Sequence, residues 1–354
     1  PNGDLLATSD EEANTFLIWD STTGEKVVEV PLGEEVIQSL AFSKKGNILG
    51  VGTDKNLLTW EVERKKIINR KKVSCLNIAF FGSEILVITK DRMLWHYESD
   101  TLLPAGKKTE LNQNWDKAVF SGVGSKLALW FSKAEHKDIP FADIWDIKTN
   151  RHQIKLKGNA HLIVASILSR DDSILAVATE RTLKVWQLCA NQPVQNIEVP
   201  ANLETLDITD KVDKLIGGME GGFMQLWNSR SCQPFCEAYK GNNKNINQIK
   251  FAGDGSVAIA GFKNAYLGKD DFAVILEGNK GKMLQALVCR DNAGFANAVD
   301  LSADGSRALT GMNDGTVRLW DTKTGRQILP SMEGHEGGAY AVALSTDKEG
   351  GRIL

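Results

Sequence analysis

Residues 308–325 read ALTGMNDGTVRLWDTKTG, and this stretch decides the fold. Apolar and polar residues alternate with a period of two on both sides of the Asp314-Gly315 turn, which is typical of two strands joined tightly. The second of these strands ends at Trp320-Asp321, and Thr324-Gly325 predicts another turn after it. The stretch therefore predicts antiparallel strands b and c of a small sheet, followed by a turn into strand d.

The same pattern recurs along the chain at intervals of 35 to 50 residues, 43 on average. In most units an apolar stretch that ends in a turn, such as AVDLSADG at 298–305, comes before strand b and predicts a strand a. The residues that mark strand c are Trp19, Trp60, Trp95, Trp145, Trp186, Trp227, Leu276 and Trp320. A period near 40–45 that closes on Trp-Asp indicates a propeller blade.

The chain resembles the WD40-repeat family over essentially its whole length. The resemblance rests on Trp19-Asp20, Trp145-Asp146, Trp320-Asp321, the Gly334-His335 dipeptide and the SADG turn at 302–305. It implies an all-β fold, a WD40-type β-propeller of four-stranded antiparallel blades, with residues 1–354 as a single domain. The resemblance alone implies no reaction.

The resemblance also implies structural residues. Members of the family often join a His before strand a, a Ser or Thr in strand b, an Asp in the b–c turn and the Trp indole by hydrogen bonds. By position, Thr8, Trp19 and His335 would meet in one blade, and Thr310, Asp314 and Trp320 in another. In the blade of Trp60 we assign the strand-b position to Gly50, which carries no hydroxyl group.

The two ends of the chain carry complementary parts of a blade. The first residues, PNGDLLATS, predict strand b, and the last, VALSTDKEGGRIL, predict strand a. We therefore expect eight blades if the termini close one blade together. The alternative is a seven-bladed ring with an extra unit, as in a fragment of a longer WD40-repeat protein.

Charge and composition narrow the choice of partners and compartment. The chain has 42 Lys+Arg and 45 Asp+Glu, a net charge of −3, with no long run of either sign, so neither nucleic acid nor a membrane is a predicted partner. No apolar run approaches the roughly 20 residues that a membrane helix needs. Five scattered cysteines favour a reducing, cytoplasmic location. Export stays open because the chain begins at Pro1 rather than Met.

The sequence predicts no catalytic residue, no metal site and no cofactor. The five histidines are not at metal-ligand spacing, and Cys232 and Cys236 lack the second pair that a zinc site needs. The glycine clusters at 217–222 and 278–282 lack the spacing of a phosphate-binding loop.

We therefore expect a non-catalytic interaction scaffold or docking module that binds protein or peptide partners. One alternative is a small-ligand-binding or enzymatic propeller that uses its central channel. Another is the sensory or docking part of a larger bacterial multidomain protein. The residues assigned to the strand-a starts carry no ionisable group, which favours the scaffold. They are Ile37, Trp115, Ile163, Leu203, Asn247, Ala296 and Ala339.

Two expanded loops suggest where a partner binds. The two longest intervals lie in units with a long b–c connection, at 132–141 and 262–271, and the b–c and d–a loops share one rim of the ring. Both loops mix Lys, Asp and an aromatic residue, as protein-recognition surfaces often do. The predicted partner-binding residues are Lys133, His136, Lys137, Phe141, Tyr266, Lys269 and Asp270, with Trp115 as a candidate aromatic anchor near the rim.

Overall fold

A computed structural model gives the structure of most of the chain. It describes residues 5–10, 14–20, 23–43, 45–111, 115, 117–121, 124–130, 142–149, 151–156, 163–188, 192–241, 244–263, 271–288, 294–333, 337–340, 342 and 344.

The described residues form small antiparallel sheets. In the first half of the chain the strands are β1 (Leu5–Asp10), β2 (Thr15–Asp20), β3 (Lys26–Pro31), β4 (Ile37–Phe42), β5 (Ile48–Thr53), β6 (Asn56–Glu61), β7 (Lys66–Lys72), β8 (Cys75–Phe81), β9 (Glu84–Thr89), β10 (Met93–Glu98), β11 (Pro104–Glu110), β12 (Lys117–Phe120), β13 (Lys126–Trp130), β14 (Ala142–Asp146) and β15 (Arg151–Leu156).

The pattern continues in the second half. The strands there are β16 (Ile163–Leu168), β17 (Ile174–Thr179), β18 (Thr182–Gln187), β19 (Gln192–Glu198), β20 (Leu203–Ile208), β21 (Lys214–Met219), β22 (Phe223–Asn228), β23 (Tyr239–Lys240), β24 (Ile246–Phe251), β25 (Val257–Phe262), β26 (Ala273–Glu277), β27 (Met283–Leu287), β28 (Ala296–Leu301), β29 (Arg307–Met312) and β30 (Val317–Asp321). A 3-10 turn, Glu220–Gly222, joins β21 to β22.

These strands build eight blades. Six sheets are four-stranded meanders, from β4-β5-β6-β7 to β24-β25-β26-β27, and two are three-stranded, β1-β2-β3 and β28-β29-β30. The first strand of a four-stranded blade packs against the first strand of the next, as β4 does on β8 and β20 on β24, so first strands are innermost. The predicted all-β propeller with eight blades is confirmed.

The C-terminal segment packs where the ring closes. Val342 and Leu344 share a buried cluster with Leu17 and Trp19 of the first blade. The Ala339 amide donates to the Met312 carbonyl of the last blade at 2.9 Å. This segment therefore lies between the first and last sheets, beside the strands β1 and β2.

A repeated hydrogen bond identifies the place that the segment takes. The Asp207 carboxylate of β20 accepts the Phe251 amide of the next inner strand at 2.6 Å, and Asp300 of β28 accepts the Leu344 amide at 2.8 Å. Asp207 and Asp300 both stand fifth in their strands, and Phe251 stands last in β24. Leu344 therefore takes the inner-strand place in blade 1 that Phe251 takes in blade 7.

Each blade lies on its neighbour through large side chains and glycines. Seven of the eight marker residues fall in the third strand of their sheet, and Trp19 falls in β2, which is the third strand of blade 1 once the closing segment is counted as its inner strand. Trp60 meets Phe16 of the preceding blade edge-to-face at 6.1 Å, and Trp320 lies 5.4 Å from Phe272. Gly261 of β25 allows the next blade to come close, because a Cβ there would lie 2.8 Å from Val299 Cγ1. Apolar stacking between faces therefore holds the ring together.

Candidate partner-binding rim

One rim of the ring, which we call the upper rim, is where the inner strands begin. Because successive strands of a meander reverse direction, the turns between second and third strands open on this rim too. The turns between third and fourth strands, such as Glu277–Lys282, open on the opposite, lower rim. The upper rim is thus the rim on which the two expanded b–c loops were predicted to lie.

A bulge reshapes six inner strands directly at the upper rim. In each, the pairing with the second strand shifts after the first residue, so that one residue is left unpaired. The unpaired residues are Gln38, Leu76, Val164, Glu204, Asn247 and Asn297. A bulge of this kind turns a side chain out of the regular sheet alternation, here at the mouth of the channel.

The structure corrects three details of the assigned strand-a starts. β24 begins at Ile246, so Asn247 is the bulged second residue, and β8 begins at Cys75, which had no assignment. β12 begins at Lys117, two residues after Trp115, so one inner strand does start with a charged residue. Glu204 also stands at the channel mouth, although the residue that starts its strand, Leu203, is apolar. Counting ionisable groups at first positions alone missed this carboxylate.

Apolar side chains are exposed at two points on this rim. Val164 is 40% exposed, and Tyr340, which follows Ala339 in the closing segment, is 55% exposed. Gly338 lies against both Asn297 and Tyr340, since a Cβ there would be 2.8 Å from Asn297 Nδ2 and 3.1 Å from Tyr340 Cε2. An exposed tyrosine can anchor a peptide through contact with its ring and a hydrogen bond to its hydroxyl group.

Polar contacts hold the rim between blades 6 and 7. Asn245 Nδ2 and Lys263 Nζ both donate to the Glu204 carboxylate at 2.9 Å. The Asn245 side chain also accepts the Gly221 amide at 3.0 Å. In the following blade, Asn247 Nδ2 donates to the carbonyls of Ala296 and Asn297. These contacts cross from one blade to the next, so this part of the rim is preorganised.

Most of the predicted partner-binding residues lie outside the described part of the chain. This applies to Lys133, His136, Lys137, Phe141, Tyr266, Lys269 and Asp270. Trp115 is described, and it is only 5% exposed, packed with Leu86, Leu111 and Leu127. The expectation of an exposed anchor at Trp115 is therefore wrong, because this residue precedes β12 and packs in the core between blades 3 and 4. Tyr340 is an exposed aromatic residue on the upper rim that sequence reasoning missed.

The two threonines expected beside tryptophans are within hydrogen-bond distance of them. Trp19 Nε1 donates to Thr8 Oγ1 at 2.9 Å, and Trp320 Nε1 donates to Thr310 Oγ1 at 3.0 Å. His335 lies outside the described residues.

Asp314 holds its own turn. Its Oδ1 accepts the amide and the hydroxyl of Thr316, and its Oδ2 lies 3.5 Å from the Arg318 guanidinium. Its described contacts therefore organise the b–c turn and a neighbouring cation rather than the tryptophan.

The blade of Trp60 shows what happens without a hydroxyl group. Its buried indole Nε1 has no hydrogen-bond partner among the described residues. Thr310 lies opposite the residue two positions before its tryptophan, and by that register the equivalent residue is Val51, opposite Leu58. The assignment to Gly50 was wrong by one residue, since the strand-b position depends on pairing rather than on distance along the chain.

A cavity of about 250 Å³ with a mixed polar and apolar lining opens inside the channel, between the inner strands of blades 3 to 7. Arg170 and Asp210 form an ion pair across its wall at 3.2 Å, and Lys250 lies 3.5 Å from Asp207. The charged side chains of the cavity are therefore neutralised by one another, in contacts that join neighbouring blades.

Hydrogen bonds within turns and burial in the core explain the shifted pKa values of Asp304, Asp171 and Cys75. Burial would raise the pKa of Asp304, but hydrogen bonds from Ser302 and Ser306 outweigh it and lower that pKa. The same balance lowers the pKa of Asp171. Burial raises the pKa of the Cys75 thiol to about 12. A proton-transfer acid would instead have a raised pKa, so these aspartates act as turn-forming carboxylates.

Neither a cluster of metal-ligand side chains nor a long apolar helix occurs among the described residues. No three His, Cys, Asp or Glu side chains there come together as metal ligands, and Cys75, Cys232 and Cys236 are free thiols. No helix in that part of the chain has the length and apolar character to span a bilayer.

Comparison with known proteins agrees with the geometry. The family model "WD domain, G-beta repeat" matches residues 283–321, from β27 through the three strands of the last blade. This chain is a β-propeller that carries a WD40 repeat at residues 283–321. The rest of the ring repeats that unit around the channel, with Leu276 in place of the tryptophan in blade 7.

Several WD-repeat proteins are similar in sequence. A segment of 49 residues is 51% identical to WD repeat-containing protein 86 of Homo sapiens, covering 14% of this chain and 13% of that protein. Periodic tryptophan protein 2 homolog of Dictyostelium discoideum is 25% identical over 98% of the chain and 37% of its own length. WD repeat-containing protein 1 of Rattus norvegicus is 33% identical over 30% of the chain and 17% of its own length. The chain thus spans well under half of each of these relatives.

A solved structure shares the fold. The computationally designed Ika8 protein superposes with a TM-score of 0.68 at 17% identity, covering 91% of this chain and 96% of that one. At this identity the match supports the propeller architecture alone.

Proposed function

We propose that this WD40 propeller is a non-catalytic scaffold that binds protein or peptide partners on its upper rim. The observation that carries the proposal is the pairing of exposed apolar side chains, Tyr340 and Val164, with preorganised polar groups around the channel mouth. Protein interfaces combine such an apolar anchor with a polar surround that satisfies hydrogen bonds.

The two expanded loops extend this surface in the proposal. The strands that flank them, β13 and β14 in one blade and β25 and β26 in the other, meet at the upper rim. The proposal assigns charge and ring contacts to the lysines, aspartates and aromatic residues of the loops. The residues proposed to touch a partner are Lys133, His136, Lys137, Phe141, Tyr266, Lys269 and Asp270. Tyr340 replaces Trp115 as the aromatic anchor, because the buried ring of Trp115 has no surface to offer.

A small-ligand function for the channel has one supporting observation, the cavity of about 250 Å³. Its cations already have carboxylate partners in Asp207 and Asp210. A charged ligand would have to break these pairs, which favours the scaffold.

The proposal is tested by capture and point substitution. Partners are isolated on the immobilised full chain and identified, and the affinity of the purified partner is measured for Tyr340→Ala, His136→Ala and Tyr266→Ala. Glu63→Ala is the matched control, since Glu63 is exposed on the lower rim. We expect roughly tenfold weaker binding for Tyr340→Ala, as for a contact at the centre of an interface, and no change for the control. Equal affinity for all four variants would place the partner elsewhere.

A further inference from the structure

The outer edges of the blades differ in how they are protected. An outermost strand leaves backbone groups free to pair with another chain, and charged residues or proline usually prevent this. The outer strands β3, β7, β11, β15, β19 and β23 each contain at least one Lys, Arg or Glu. The outer strand of blade 7, β27, reads MLQAL and has neither charge nor proline.

Apolar side chains surround this unprotected strand. Leu284 is 45% exposed, and Met283 and Val288 are exposed beside it. Tyr239 of blade 6 donates its hydroxyl to Met283 Sδ at 3.4 Å, which extends the surface toward Phe235, 44% exposed. We call Phe235, Met283, Leu284 and Val288 the blade 7 strip. Exposed apolar groups joined across two blades are typical of an interaction surface.

The backbone of β27 is available for pairing on its outer side. The Leu287 carbonyl accepts the Phe272 amide on the inner side. Because backbone groups alternate in direction along a strand, the N–H and C=O of Ala286 and Val288 point to the outer edge. No described strand pairs with that edge.

Cations gather at the lower-rim end of the strip. Lys280 and Lys282 come directly before β27, and Gln285 Nε2 holds the next blade's c–d turn by donating to the Lys323 carbonyl at 2.8 Å. Glu277 lies 3.4 Å from Lys280. Lys282, Lys323 and Arg326 form no salt bridge with a carboxylate in the described part of the chain. Hydrogen bonds from Thr324 and the nearby charge of Lys323 lower the pKa of the Asp321 carboxyl group. Four cations thus face two carboxylates, Glu277 and Asp321, at this end. The strip therefore favours negative charge at this end.

We propose that β27 binds an extended segment of a partner protein as a fifth, antiparallel strand of blade 7. Antiparallel pairing is the arrangement of every strand in the ring, and β27 runs from the lower rim to the upper rim. An antiparallel segment therefore brings its C-terminal end to the lysines. The segment has alternating apolar residues, which lie on the blade 7 strip, and acidic residues at its C-terminal end. This surface is independent of the upper rim.

Two peptides of equal composition test both the site and the orientation. One alternates valine and threonine and ends in three aspartates, and the other carries the three aspartates first. Each is labelled with fluorescein, and its binding to the full chain is measured by anisotropy. We expect the peptide with C-terminal aspartates to bind roughly tenfold more tightly, through exposed ion pairs, and to weaken in about 0.5 M salt.

Substitutions locate the binding on the chain. Leu284→Glu and Lys282→Glu are expected to abolish the preference for the first peptide, and Val288→Pro to weaken it by removing an outward N–H at a position where proline is tolerated. The matched control is Leu103→Glu, which changes an apolar residue, 58% exposed, on blade 3. Thermal unfolding of each variant reports whether the fold is intact.

Four results would overturn the proposal. The first three are no binding of either peptide, equal binding of both, and equal affinity for the Leu284→Glu and Leu103→Glu variants. The fourth is self-association of the full chain that Leu284→Glu abolishes, since the occupant would then be a second copy.

Discussion

The hydrogen bond between Trp320 and Thr310 makes a direct test of how the blades are stabilised. Both side chains are buried, and Trp320 Nε1 donates to Thr310 Oγ1 at 3.0 Å. Thr310→Val keeps nearly the same shape but removes the acceptor. A buried donor without a partner costs about 1–3 kcal/mol. We expect the free energy of unfolding to fall by about 2 kcal/mol.

The blade of Trp60 offers the reverse change. Its indole N–H already lacks a partner among the described residues, and Val51 stands where Thr310 stands in the last blade. Val51→Thr supplies the missing acceptor, and the new hydrogen bond contributes about 0.5–1.5 kcal/mol, which offsets the burial of a hydroxyl group. We expect Val51→Thr to leave stability unchanged or to raise it.

Urea unfolding followed by circular dichroism compares the two variants with the parent chain. The same chemical exchange, between Val and Thr at equivalent buried positions, should therefore act in opposite directions. Equal midpoints for Thr310→Val and the parent would refute the reasoning. So would a large loss in Val51→Thr, because the indole of Trp60 would then not be short of an acceptor.

Three further outcomes follow from the structure. Trp320→Ala, at a residue stacked on Phe272, should cost about 3–5 kcal/mol in urea unfolding, and a loss below about 1 kcal/mol would exclude Trp320 as a stacking residue. The folded-state pKa of Asp304 is lowered, so its stabilisation is present above about pH 4 and is lost as the pH falls through the lowered pKa. Asp304→Asn should therefore be less stable than the parent near pH 6, with the difference in thermal midpoint shrinking below pH 4, and a constant difference would contradict the assignment. Cys75, with its pKa raised to about 12 by burial, should resist iodoacetamide at pH 8 until the chain unfolds, and mass spectrometry of the folded protein would expose any error by finding Cys75 labelled.

Residue spacing was enough to predict the architecture. Period-two alternation ending in a tryptophan predicts a strand, and its recurrence about every 43 residues indicates eight units. Local patterns carry this information because a blade is a meander, in which each strand pairs with its neighbour in sequence. Whether the termini close the eighth blade or seven blades carry an extra unit stayed open from the sequence. Spacing also placed Thr8 and Thr310 correctly beside Trp19 and Trp320. Both blades contain a complete Trp-Asp pair, which fixes the position of the third strand.

Register and burial needed the tertiary structure. Val51, not Gly50, lies opposite Leu58, two residues before Trp60. The error of one residue matters because it moves a side chain to the other face of the sheet. Trp115 carries an aromatic ring that suits either an anchor or a core, and only the packing of blades 3 and 4 decides for the core.

The sequence by itself determined the repeat, the strands and their order within each blade, since all of these follow from contacts between residues close in the chain. Closure of the ring depends on contacts between the C-terminal segment and the first and last blades. The tertiary structure decided which surfaces are free. Tyr340 reaches the upper rim because the closing segment takes the inner-strand place of blade 1, bound through Asp300 to Leu344. The edge of β27 is free because no described strand lies beside it. The exposure of a side chain or a strand edge depends on residues that are distant in sequence, so a local sequence pattern cannot predict it.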